Sequence, residues 1–178
     1  MKQRSNAFCA TAAAILWTAA PAIAGGTHAA SHGYGFGNPA KSAEGARVIH
    51  VWMTDNAYEP ETLEVAEGET IRFVIENAGE FVHEFALGTR KMNEGHSAEM
   101  LMMMETGMLG ADTVNGKMDH DDPNSLLLEP GKTGELVWTF SGPTTIEFVC
   151  NVPGHYESGM VGPLTIRHGD DHGHGENS

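Results

Sequence analysis

Apolar and polar positions alternate along much of this chain in short runs, the period of a half-buried β-strand. The first run, Arg47-Val48-Ile49-His50-Val51-Trp52-Met53, is rich in β-branched residues and closes at a turn marked by Asp55-Asn56. Thr62-Leu63-Glu64-Val65 and Thr70-Ile71-Arg72-Phe73-Val74-Ile75-Glu76 flank Glu67-Gly68-Glu69, with Leu63, Val65, Ile71, Phe73 and Ile75 on the inward face. That pattern predicts a β-hairpin. Asn77-Ala78-Gly79 ends the second run, and His83-Glu84-Phe85-Ala86-Leu87 begins another. Leu136-Val137-Trp138-Thr139-Phe140 follows the turn at Pro130-Gly131, and the last two runs are Thr144 to Val149 and Met160 to Ile166. Short strands, frequent Gly and Pro turns and little helix predict an all-β, antiparallel sandwich or barrel.

Three stretches break the pattern. Residues 89–128 hold Met92, Met100, Met102, Met103, Met104, Met108 and Met118 together with His96 and His120. Ser97 is expected to cap a short helix over 98–105 and Gly107 to stop it. Residues 25–46 are rich in Gly, Ala and Ser, contain His28 and His32, and predict a flexible lead-in. Residues 169–178, with His172 and His174, predict a disordered His/Asp-rich tail. The folded domain is therefore expected over 47–168, with 89–128 as an insertion.

Residues 1–24 carry Lys2 and Arg4, an apolar run containing Phe8, Ile15, Leu16 and Trp17, and Ala22-Ile23-Ala24 before Gly25. This is the pattern of a secretory signal peptide, and it places the mature chain in a bacterial periplasm without a membrane span. Cleavage removes two cations and no acid, moving the formal charge from −14 to −16. Such acidity argues against nucleic acid as a partner and suits metal cations or a basic protein. Cleavage also removes Cys9, leaving Cys150 alone in an oxidising compartment with no internal disulfide partner.

Cys150 opens the loop Cys150-Asn151-Val152-Pro153-Gly154-His155-Tyr156-Glu157-Ser158-Gly159-Met160, which sets a thiol, an imidazole and a thioether at intervals of five. Three soft or borderline donors on one tight turn between strands suit a copper ion that shuttles between Cu(I) and Cu(II). The full set for such a site is two His, one Cys and a weak axial Met. The missing imidazole must come from another strand, and His83, at the start of a strand after the Asn77-Ala78-Gly79 turn, is the best-placed candidate.

With Glu67-Gly68-Glu69-Thr70-Ile71-Arg72-Phe73, the Asn-Ala-Gly turn, His83-Glu84-Phe85, and Cys150 through Met160 with Gly162, the chain resembles the cupredoxins, the type 1 copper family of plastocyanin, azurin, rusticyanin and auracyanin. The resemblance implies an eight-stranded Greek-key β-sandwich with one type 1 copper held by His83, Cys150 and His155, and Met160 axial. The loop spacing looks more like rusticyanin and auracyanin than plastocyanin. Glu84 departs from the family pattern, because many small electron carriers have Asn after the first ligand His.

The Met/His-rich insertion is similar to that of periplasmic cupredoxins associated with copper tolerance. His96 and Met100 lie four apart and Met103 or Met104 continues that face, so a helix would offer them to a further, weaker copper; packing against the sandwich is the other use of these methionines. Copper tolerance is the function this implies, and a dedicated electron carrier serving a basic redox protein such as a c-type cytochrome is the alternative. A cysteine hydrolase is disfavoured, because Cys150 and His155 share one tight loop and no oxyanion element is evident. The chain is accordingly read as a non-enzyme.

Overall fold

The computed structural model describes residues 34–115 and 122–168. The expected signal peptide over 1–24, most of the lead-in, Met118, His120 and the tail beyond His168 lie outside them. Two five-stranded sheets face each other. The first contains β1 (Gly37–Pro39), β2 (Arg47–Thr54), β3 (Ala57–Glu59), β5 (Thr70–Asn77) and β8 (Thr133–Phe140), in the order β1-β8-β5-β2-β3. The second contains β4 (Leu63–Ala66), β6 (His83–Gly88), β7 (Ser125–Leu128), β9 (Thr144–Val149) and β10 (Val161–Arg167), in the order β4-β10-β9-β6-β7.

Alternation sets the core. Ile71, Phe73 and Ile75 of β5, Leu136, Trp138 and Phe140 of β8, and Leu164 and Ile166 of β10 point between the sheets and are buried. Each such side chain contributes roughly 1.5–3 kcal/mol by leaving water. Tyr58 of β3 ties the two sheets together, its hydroxyl donating to the carbonyl of Glu84 across the core at 2.6 Å.

The sandwich is mixed rather than antiparallel throughout: β2 runs parallel to β5, and β4 parallel to β10. The expected hairpin over 62–76 is absent for the same reason. Leu63 and Val65 pair into the second sheet while Ile71 to Ile75 pair into the first, so the turn at Gly68, with φ of 80°, carries the chain from one sheet to the other. Both strands keep the inward face their alternation predicts.

The lead-in also departs from expectation. Gly37–Pro39 adds to the edge of β8, and Phe36 stacks on Trp138 with ring centroids 5.5 Å apart. Gly37, with φ of 137°, passes so close to Trp138 and Thr139 that no side chain would fit.

The insertion forms one helix, α1 (Arg90–Glu105), longer than expected and starting earlier. Thr89 is its N-cap, the hydroxyl accepting from Met92 N–H at 3.4 Å. Ser97 instead lies inside it. The helix packs against β6 and β9 on the outer face of the second sheet, with Met100 and Met103 buried. That covering buries all six residues of β6.

Candidate metal centre

His83 opens β6 and owes its position to the turn before it. Asn77 is fully buried, and its side-chain amide donates to the carbonyls of Phe81 and Leu128 at 2.8 Å each while its oxygen accepts from Gly79 N–H at 3.0 Å. The turn is thereby closed upon itself and anchored to β7. Gly79 leaves the space that His83 needs: a Cβ there would sit 2.8 Å from His83 Nε2 and collide with Asp55. His83 Nε2 lies 3.0 Å from Asp55 Oδ1. The hydrogen bond from His83 holds the Asp55 carboxyl below its ordinary range, and an ionised acceptor fixes the proton on Nε2. Nδ1 is left as the donor atom.

Cys150 follows the last residue of β9. Its N–H donates to Met160 O at 3.1 Å, and Met160 N–H donates to His155 O at 3.0 Å. Those bonds and the positive φ of Gly154 and Gly159 (90° and 101°) fold the loop so that thiol and imidazole face each other. Met160 and Cys150 are fully buried, and His155 is half-buried beside the exposed Phe81 ring.

The three donors converge. His83 Nδ1, His155 Nδ1 and Cys150 Sγ lie 3.1, 3.3 and 3.9 Å apart. The point equidistant from them is about 2.0 Å from each, the length of a metal–nitrogen bond and a little under a metal–sulfur bond. Two imidazole nitrogens and one thiol in so close a triangle fit a copper ion. Without a cation this crowding is unfavourable to charge: burial lifts the Cys150 thiol to about 12, and burial together with His83 lowers His155. Metal binding here must therefore release the thiol proton.

A second cluster joins α1 to the residues just before β7. His96, Glu99 and Asp122 place ligand atoms within 4.8 Å of one another, in a cleft also lined by Tyr34, Met92 and Asn124. One imidazole and two carboxylates suit a weaker, borderline-to-hard cation site. Met100 and Met103, expected beside His96, lie in the core, and Met104 is on the surface. Sequence reading misses Glu99, Asp122, Asp55 and the role of Glu84. The first two carry no signal apart from a helical interval of three, and Asp55 reads as turn chemistry alone.

Burial disfavours a charged His96, but hydrogen bonds and charge from Glu84, Glu99 and Asp122 outweigh it and raise the imidazole from its ordinary 6.5 to about 9. A group raised on folding stabilises fully below its unfolded value and loses that contribution as pH climbs through its folded value. The copper-free protein should therefore exceed His96→Gln in stability by roughly 1–2 kcal/mol at pH 6, allowing for solvent screening, with the gap closing toward pH 10. Urea denaturation of both across that range measures it.

Residues 48–167 match the family described as copper binding proteins, plastocyanin/azurin family. The chain is 45% identical over 155 residues to the copper-resistant cuproprotein CopI of Pseudomonas aeruginosa, covering 77% of this chain and 85% of that protein. It is 36% identical over 164 residues to the copper-resistant cuproprotein CopI of Rubrivivax gelatinosus, covering 87% and 92%. Among solved structures, auracyanin B superposes with a TM-score of 0.53 at 22% identity, over 72% of this chain and 90% of that one. Reduced auracyanin from Roseiflexus castenholzii gives 0.52 at 22% identity, over 68% and 98%. At that identity the structural likeness speaks for the fold alone.

Proposed function

The chain belongs to the plastocyanin/azurin family of copper-binding proteins, and on that premise we propose that it is a periplasmic cupredoxin serving copper tolerance. His83, Cys150 and His155 would hold copper tightly at a type 1 site with Met160 as the weak fourth donor, and a second site would hold it more weakly. The observation that carries the reading is the triangle of two imidazole nitrogens and one thiol, with His83 and Cys150 fully buried. Relatives named for copper resistance, matched over most of their length, support the purpose, and the signal-peptide pattern over 1–24 supports export.

Copper bound there would supply one-electron chemistry between Cu(I) and Cu(II). The chain's own residues supply the rest. Asp55 orients His83, the Cys150 thiol would give up its proton on binding, and the buried Met160 is tied to the loop by backbone bonds to Cys150 and His155. His155, half-buried beside exposed Phe81, is the edge nearest solvent. That edge and the acidity of the chain favour the second reading, a carrier that exchanges electrons with a basic redox protein such as a c-type cytochrome. Neither reading makes the chain an enzyme.

Copper stoichiometry beside a deletion strain decides between them. More than one copper per chain with copper-sensitive growth is expected; one copper per chain with a lost respiratory or photosynthetic activity would favour the carrier. Met160→Leu should keep copper and raise its reduction potential, because a weak axial donor stabilises Cu(II) more than it binds the ion. Loss of copper altogether would count against an axial role.

A further inference from the structure

Glu84 stands directly after His83, and its side chain points to the face of β6 that α1 covers, 2% exposed. A carboxylate so deeply buried is costly unless every oxygen is engaged. Its two oxygens are divided between two elements. Oε2 accepts from the Asn151 backbone N–H at 3.3 Å and from the Asn151 side-chain amide at 2.9 Å. Oε1 lies 2.8 Å from His96 Nε2. The backbone N–H of Glu84 donates to Cys150 Sγ at 3.3 Å. One residue thus touches the thiol, the residue after the thiol, and the helix of the insertion.

We propose that Glu84 is a positioning residue that couples α1 to the Cys150 centre, so that the contact between its carboxylate and His96 is felt at the thiol. This rests on the copper reading and goes beyond it by joining two sites in one hydrogen-bonded path. The same imidazole that meets Glu84 through Nε2 turns Nδ1 toward Glu99 and Asp122, at 3.3 and 3.8 Å. A carboxylate on one ring nitrogen orienting the other toward a cation is a common arrangement in metal sites. The contact at His96 holds the Glu84 carboxylate from the side away from copper. Ser97, 3.0 Å from Asn151 Oδ1, seats the helix on the same residue. When the His96 contact is removed, the carboxylate loses one of its two anchors and the Glu84 N–H that donates to Cys150 Sγ is less firmly held, which favours the more positive oxidation state of a bound metal.

The test uses the copper-loaded protein, with reduction potential and the visible copper–thiolate absorption as readouts. His96→Gln is expected to lower the potential and shift the absorption, whereas His96→Arg, whose longer fork of N–H donors still reaches the Glu84 carboxylate, should stay near the wild type. In a Glu84→Gln background the His96→Gln change should have no further effect. An equal shift in both backgrounds, or a His96→Gln protein unchanged in both readouts, overturns the coupling. Should Glu84→Gln fail to fold, the His96 pair decides, because that side chain is on the surface helix and its loss spares the core: a Gln shift that Arg reverses supports the proposal, and a shift common to both overturns it. If the wild type itself lacks a copper–thiolate band, the type 1 assignment fails and the coupling falls with it. A wild type with the band and a silent His96→Gln removes the coupling alone.

Discussion

Cys150→Ser yields a folded protein without the intense visible absorption of copper(II) thiolate and with copper affinity reduced by more than about 100-fold, beyond the effect of losing an outer partner of a metal ligand. The fold survives because in the metal-free protein the thiol is neutral, lifted to about 12 by burial. A serine hydroxyl of similar shape takes its place with the Glu84 N–H 3.3 Å away as a hydrogen-bond partner. Destabilisation of the metal-free form should be about 1–2 kcal/mol, the cost of a partly paired buried hydroxyl. Optical titration with copper(II) and a thermal melt of the metal-free protein separate the two effects. A Cys150→Ser protein that kept the colour would move the metal elsewhere; one that failed to fold would make Cys150 a core residue first.

Asn77→Ala is expected to be the most damaging polar substitution near the site, lowering stability by roughly 2–4 kcal/mol. It removes both donors to the Phe81 and Leu128 carbonyls and the acceptor of Gly79 N–H, and each buried backbone group left unpaired costs about 1–3 kcal/mol, with partial relief from water entering the gap. The loss falls on the turn that carries His83, so copper affinity should drop along with melting temperature even though Asn77 touches no metal donor. Denaturant unfolding with and without copper checks this. An unchanged affinity in a protein destabilised as expected would show that β6, and not the turn, fixes the imidazole.

Much of the site is legible in the chain because its chemistry is local. Cys150, His155 and Met160 share one loop, and the turn residues between them need positive φ that only Gly154 and Gly159 supply easily. His83 is legible only through its turn and a family resemblance. What alternation reports is which face of a strand is buried, and it does so correctly for Leu63, Val65, Ile71, Phe73 and Ile75. It does not report which strand lies alongside. A short Gly turn joins strands of one sheet or of two with the same residues, so alternation predicts a hairpin over 62–76 that the fold does not form. The helix is legible but its start is not, because Thr89 and Ser97 are both cap residues and Asn93, Gly95 and His96 between them interrupt the good helix formers Arg90, Lys91, Met92 and Glu94. Glu84 stands out as a departure, yet its partners on α1 and the Cys150 loop are 12 and 67 positions away, which no spacing rule reaches.

His83 and Cys150 are also 67 positions apart, and they meet only where β6 pairs with β9 through Ala86, Leu87 and Gly88. Two further pairings of distant strands, β2 with β5 and β4 with β10, are parallel. A chain dominated by such non-local contacts closes late and slowly, since loop entropy is lost before the contacts return anything. Cys150, His155 and Met160 are close along the chain, but His83 joins them only once β6 has paired with β9, so a metal held by the whole set acts as a lock on a finished fold.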